Sequence, residues 1–149
     1  MAGLTPETET AHILIVDDDE HTLEILGRWL AREGYETIRA RNGTESLEEL
    51  AKNHVDVIVL DVMMPGMDGL QVCEQLRAHK DWRDIPVILL TAKDDMETRA
   101  RGMSLGVSEY LTKPVNKQEL LTRLRAQIRS RELARRLGET VAAIDGGNS

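Results

Sequence analysis

With a single cysteine among 149 residues, Cys73, the chain has no disulfide framework to staple its fold. Cys73 sits in the helical-looking run Gln71-Val72-Cys73-Glu74-Gln75-Leu76 and reads as a buried, inert thiol, not a nucleophile. Basic charge is also short: 19 Lys and Arg against 26 Asp and Glu give a net charge of −7, which argues against a general nucleic-acid binder. No apolar run approaches the length of a membrane span, and residues 1–12 are polar and acidic where a signal peptide would be basic and then apolar. A soluble cytoplasmic protein is therefore the expectation. The four histidines, His12, His21, His54 and His79, show no metal-ligand spacing and are expected at the surface.

What the chain does have is alternation. Residues 1–11 carry little to bury and are expected to form a disordered leader. His12-Ile13-Leu14-Ile15-Val16 is an apolar run of strand length that stops at Asp17-Asp18-Asp19-Glu20. Leu23, Ile25, Leu26, Trp29 and Leu30 follow with helical spacing, with Asp19 as N-cap and Gly34 as the stop. Tyr35 to Ala40 alternates like a second strand, and Asn42-Gly43 turns into a second helix over Thr44–Ala51. Val55–Leu60 is a third strand ahead of Asp61, followed by the Pro65-Gly66 turn and a helix from about Leu70 to Ala78. Ile85–Leu90 is a fourth strand ended by Thr91, Asp94–Leu105 a fourth helix, and Glu109–Thr112 a short fifth strand before Lys113-Pro114. A last helix is expected from about Asn116 to Leu137, stopped by Gly138.

Five strands alternating with five helices predict an α/β fold, a doubly wound five-stranded parallel sheet with a long C-terminal helix. The division expected is a domain over 12–128 and a helical extension with a flexible tail over 129–149. Ligands of such sheets gather at the carboxyl ends of the strands. There the sequence puts Asp17 and Asp18, Asp61, Thr91 and Lys113. Three clustered carboxylates need a cation, and an all-oxygen set with few protein ligands favours magnesium. Lys113 and Thr91 suit the oxygens of a phosphoryl group placed on Asp61, so the site reads as one for phosphoryl transfer with aspartate as nucleophile.

The pieces Ile13–Glu20, Leu60–Gly69, Leu90-Thr91-Ala92 and Tyr110–Pro114, in this order and spacing, resemble the receiver domain of the two-component response-regulator family. The resemblance implies a flavodoxin-like (βα)5 fold and a phosphorylation-activated switch, with no enzymatic activity beyond its own phosphorylation and dephosphorylation. Asp61 would accept the phosphoryl group from a histidine kinase or phosphotransfer protein. Asp18 and Asp61 would bind Mg2+, Asp17 would assist through water and Met63 would add its backbone carbonyl. Thr91 and Tyr110 would form the switch pair that reshapes the surface of helix four, strand five and helix five toward an output domain or downstream protein. It also implies a cis Lys113–Pro114 peptide, and that Met63 and Lys93 set the lifetime of the phosphoryl group.

Two other functions compete. A haloacid-dehalogenase-type phosphatase would want a carboxylate two residues after the nucleophile, where this chain has Met63. A receiver-like module that carries no phosphate would serve only for interaction or dimerisation, yet all five site residues are present. The final helix is basic, and Leu133, Leu137, Val141 and Ile144 continue an apolar stripe past the part that packs on the sheet. That stripe suits a homodimer through the C-terminal helix, or a signalling helix leading to an output domain. Direct nucleic-acid binding is weaker, since no further helix follows to build a reading head.

Overall fold

The structure, a computed structural model, describes residues 10–92 and 95–147, with side chains of the last helix as far as Gly138. The expected leader, apart from Thr10 and Ala11, lies outside the described residues, as do Lys93, the side chains of Val141 and Ile144, and the last two residues of the tail.

Strands and helices alternate through the described residues: β1 (His12–Val16), α1 (Glu20–Arg32), β2 (Glu36–Ala40), α2 (Gly43–Lys52), β3 (Val57–Asp61), α3 (Gly69–Ala78), β4 (Val87–Thr91), α4 (Met96–Ser104), β5 (Glu109–Thr112) and α5 (Lys117–Gly147). The strands are parallel in the order β2-β1-β3-β4-β5. Every residue of β3 and β4 is buried, because both faces of the central sheet are covered. On one face Leu14, Val16, Ile58, Leu60 and Leu89 meet Leu50 of α2 and Leu70, Cys73 and Leu76 of α3. On the other, Ile13, Ile15, Val59 and Leu90 meet Leu23, Leu26 and Leu30 of α1 and Leu120, Leu121 and Leu124 of α5. Successive strand residues thus feed opposite cores.

Local chemistry starts the helices where the sequence predicts. The Asp19 carboxylate accepts from His21 N–H, the Asn42 side chain from Glu45 N–H, and Asp68 forms a reciprocal capping box with Gln71. The fourth helix begins later than expected, at Met96, because Asp95 caps it by accepting from Thr98 N–H at 3.0 Å. Strands three and four begin two residues later than expected and include Asp61 and Thr91 as their last residues. The largest departure is Gly138, which does not end α5: the helix runs on to Gly147. One glycine costs a helix only about 1 kcal/mol relative to alanine and stops it only where the chain also turns left-handed. That turn does occur after α1, where Gly34 has φ +87°.

Cys73 is buried, and burial foremost pushes its thiol up to about 11, so it stays protonated and inert as expected. The histidines are less uniform than expected. His79 is half-buried and stacks on Trp82 with ring centroids 3.7 Å apart, and half-buried His12 meets Asp56, its backbone N–H donating to Oδ2 at 2.8 Å. His12 opens β1 and His79 caps the end of α3, and neither partner is reported by periodicity in the sequence.

Candidate functional site

Sheet register assembles the site. Val16 pairs with Leu60, so the next residues, Asp17 and Asp61, come side by side where β1 and β3 end. This is also where the strand order reverses, the crevice in which open parallel sheets bind ligands. The site continues across β4 and β5: Asp61 pairs with Leu90 and Thr91 with Thr112, one residue short of Lys113.

Lys113 is the hub. Its Nζ lies 3.0 Å from Asp17 Oδ2 and 3.2 Å from Asp61 Oδ2, and its N–H donates to the Thr91 carbonyl at 2.8 Å. The Lys113–Pro114 peptide is cis, as the resemblance implies. Asp17 is fully buried, and its Oδ1 accepts from Asp19 N–H at 2.9 Å. Asp61 is 2% exposed, and its Oδ1 accepts from Met63 N–H at 3.2 Å. Asp18 faces solvent. The three carboxylates each offer an oxygen, and these lie within 4.8 Å of one another.

The electrostatics follow from crowding. Burial, and next the charge of Asp17, push the Asp61 carboxyl above the ordinary carboxylate range, while Lys113 pulls it back. Burial also works against the Lys113 ammonium, but its hydrogen bond to Asp17 and the charges of Asp61 and Asp17 outweigh that and hold it above the usual lysine value. One ammonium against three carboxylates leaves two negative charges, the charge of one divalent cation. The donor set is all oxygen, which suits Mg2+.

A second observation bears on an incoming group. Thr91 Oγ1 is buried and makes no hydrogen bond among the described residues. A buried hydroxyl left so costs about 1–3 kcal/mol, which makes it a donor held ready for a further oxygen.

Around the carboxylates, Gly69 permits a close approach: a Cβ there would lie 2.6 Å from the Asp61 carbonyl oxygen. Gly66 has φ +78°, so glycine serves the turn after Pro65. Met63 is 68% exposed, and its bond to Asp61 is made by the backbone N–H.

Tyr110 stands apart from the cluster. It is half-buried on β5, against Gly102 of α4, and its hydroxyl donates to the Arg99 carbonyl. Arg99 was not anticipated: its guanidinium Nη2 donates to Thr112 Oγ1 at 2.6 Å, a second tie between α4 and β5. Only the spacing of Tyr110 and Thr112, two apart on one strand face, hinted that a common partner lies over them.

Comparisons with known proteins agree with this geometry. The family model described as "Response regulator receiver domain" matches residues 13–125. The chain is 47% identical over 117 residues to the response regulator MprA of Mycobacterium sp. (strain KMS), which covers 78% of this chain and 50% of MprA. The chain thus spans about half the length of the curated relatives it matches. Among solved structures, the signal receiver domain of an HD domain-containing protein from Pseudomonas fluorescens Pf-5 superimposes with a TM-score of 0.80 at 30% identity, covering 89% of this chain and 97% of that one. The Vibrio cholerae chemotaxis protein CheY4 does so with a TM-score of 0.75 at 32% identity, covering 78% and 98%.

Proposed function

Because the chain belongs to the response regulator receiver domain family, we propose that Asp61 is its phosphoacceptor, taking a phosphoryl group from the phosphohistidine of a histidine kinase or phosphotransfer protein. One observation carries this reading. Asp61 is a buried carboxylate at a strand end, with the Lys113 ammonium at 3.2 Å and two further carboxylates beside it. In the reaction an Asp61 oxygen bonds to phosphorus while the N–P bond of the donor breaks and its imidazole takes up a proton. Lys113 then turns its charge to a phosphoryl oxygen, and the Thr91 hydroxyl donates to another. Asp18, Asp61 and the Met63 carbonyl would hold Mg2+, with Asp17 assisting, and the ion would supply the charge that offsets the carboxylates as an anion approaches.

Thr91 and Tyr110 form the switch pair. Once Thr91 moves toward the phosphoryl oxygen, Tyr110 gains room to turn inward, its bond to the Arg99 carbonyl breaks, and the surface of α4, β5 and α5 changes. Residues 12–128 act as the receiver unit and 129–149 as the extension that hands the change to an output domain, a downstream protein or a second copy. The exposed Leu133 and Leu137 support that role for the extension. The chemistry is confined to self-phosphorylation and self-dephosphorylation in the cytoplasm, and no direct contact with nucleic acid is needed. No described helix is long and apolar enough to cross a membrane.

The test is intact mass after incubation with acetyl phosphate and Mg2+. One added phosphoryl group on the native chain, none on Asp61→Asn and none with excess chelator is the expected result. Equal phosphorylation of Asp61→Asn, or none of the native chain at any Mg2+ level, overturns the reading.

A further inference from the structure

At the opposite end of the sheet from Asp61, α5 crosses the loop between α3 and β4 and leaves a cavity of about 770 Å³. Four arginines line it, Arg77, Arg83, Arg131 and Arg135, against one acid, Asp84. In a chain of net charge −7 this is a local excess of positive charge.

Part of that excess has an internal use. Arg77 is a clamp: Nε donates to the Leu105 carbonyl at 2.8 Å, Nη2 to that of Gly106 at 3.0 Å, and Nη1 to that of Arg83. Arg131 spends Nη1 on the Asp84 carbonyl at 3.0 Å. The rest is uncommitted. Among the described residues the guanidinium groups of Arg83 and Arg135 make no hydrogen bond and no ion pair. Burial works first against the charge of Arg131; Asp56 supports it, but Arg135 then opposes it. Carbonyls satisfy N–H groups without cancelling their charge, so the four guanidiniums still repel one another and attract an anion.

An adjoining cavity of about 430 Å³ shares His54, Ile85 and Arg131 with the first and reaches Trp82, whose ring stacks on His79. The cationic space thus adjoins an aromatic wall, with one acid, Asp81, also lining this second cavity.

We propose that this groove binds an oligophosphate, a group of two or more linked phosphates, between Arg83, Arg131 and Arg135. Guanidinium groups recognise phosphate oxygens in pairs, and three of them lining one cavity from a loop and a helix suit more than one phosphate. Free pyrophosphate and a nucleoside triphosphate share this chemistry and differ in whether a base reaches Trp82. Arg131 and Arg135 belong to α5 and Arg83 to the body, so the bound anion bridges the two and holds the extension against the sheet.

Calorimetric titration of the full chain with pyrophosphate and, separately, with ATP tests the site. Both run without divalent cations or phosphodonor, so the outcome is independent of chemistry at Asp61. Saturable one-to-one binding of either probe is expected, weakened about tenfold or more in an R83S/R135S chain whose circular dichroism matches the native one. Tighter binding of ATP with quenching of tryptophan fluorescence assigns the groove to a nucleotide, and equal affinity for both assigns it to a free oligophosphate. No saturable binding of either probe, or affinity unchanged in R83S/R135S, overturns the proposal.

Discussion

Asp17, Asp61 and Lys113 illustrate how much one position depends on its neighbours. The Asp61 carboxyl is raised above its ordinary value by burial and by Asp17, so the folded chain holds its proton over a pH interval in which the unfolded chain has lost it. Through that interval stability falls as pH rises, and above it the penalty is complete. Asp61→Asn removes the penalty. In divalent-free buffer its Tm should exceed that of the native chain at neutral pH, with the advantage shrinking as pH falls into the ordinary carboxylate range; an advantage that grows on acidification contradicts the assignment. Met63 is proposed to set the rate of the reverse reaction. If its exposed apolar side chain orients an attacking water poorly, the phosphorylated Met63→Asn chain should lose phosphate faster, as followed by intact mass over time. Unchanged decay would remove Met63 from that role. The site's acids and threonine were legible in the sequence because they stand at the ends of apolar strand-length runs, and the lysine because it follows the short strand Glu109–Thr112. Arg99 was not, since its partners Thr112 and Tyr110 meet it only after α4 packs on β5.

Elements were legible where a local signal carried them. Asp19, Asn42 and Asp68 cap helices through side-chain bonds within three residues, and such bonds are written in adjacent sequence. Boundaries set by the tertiary fold were less so, and α5 shows why: Gly138 resembles a stop, but helical bonding continues through it. Gly138→Ala should therefore increase helicity in the extension, stabilising it by about 1 kcal/mol, seen as deeper far-ultraviolet dichroism. A fall in helicity would mean that the glycine is a real terminus. Gly69 marks the opposite case, a glycine whose reason is contact. A methyl group there would crowd the Asp61 carbonyl at 2.6 Å, so Gly69→Ala should cost about 1–3 kcal/mol in denaturant unfolding and slow phosphorylation as well. Full retention of both would show that the loop after β3 yields more easily than the packing implies.

For the molecule as a whole, parallel order and register turn scattered residues into a site. Asp17 and Asp61 are far apart in sequence and adjacent because β1 pairs with β3. Lys113 reaches both from beyond β5, over β4, because its side chain is long enough to lie across the rim. The fold class was legible from five alternations of apolar strand and amphipathic helix. Hidden from that pattern was the underside of the sheet, where Arg77 of α3 and Arg131 of α5 donate to loop carbonyls and His79 stacks on Trp82. The two ends of the sheet then differ in character, with the acidic cluster and the proposed phosphoacceptor at one and the arginine-lined cavity at the other. The central claim is that phosphate resides on Asp61 alone. Borohydride reduction of the phosphorylated chain converts an aspartyl phosphate to homoserine, and peptide mass spectrometry then locates it. Homoserine at position 61 and at no other is the predicted result; homoserine at Asp17 or Asp18, or phosphate retained on a hydroxyl residue, would contradict the account.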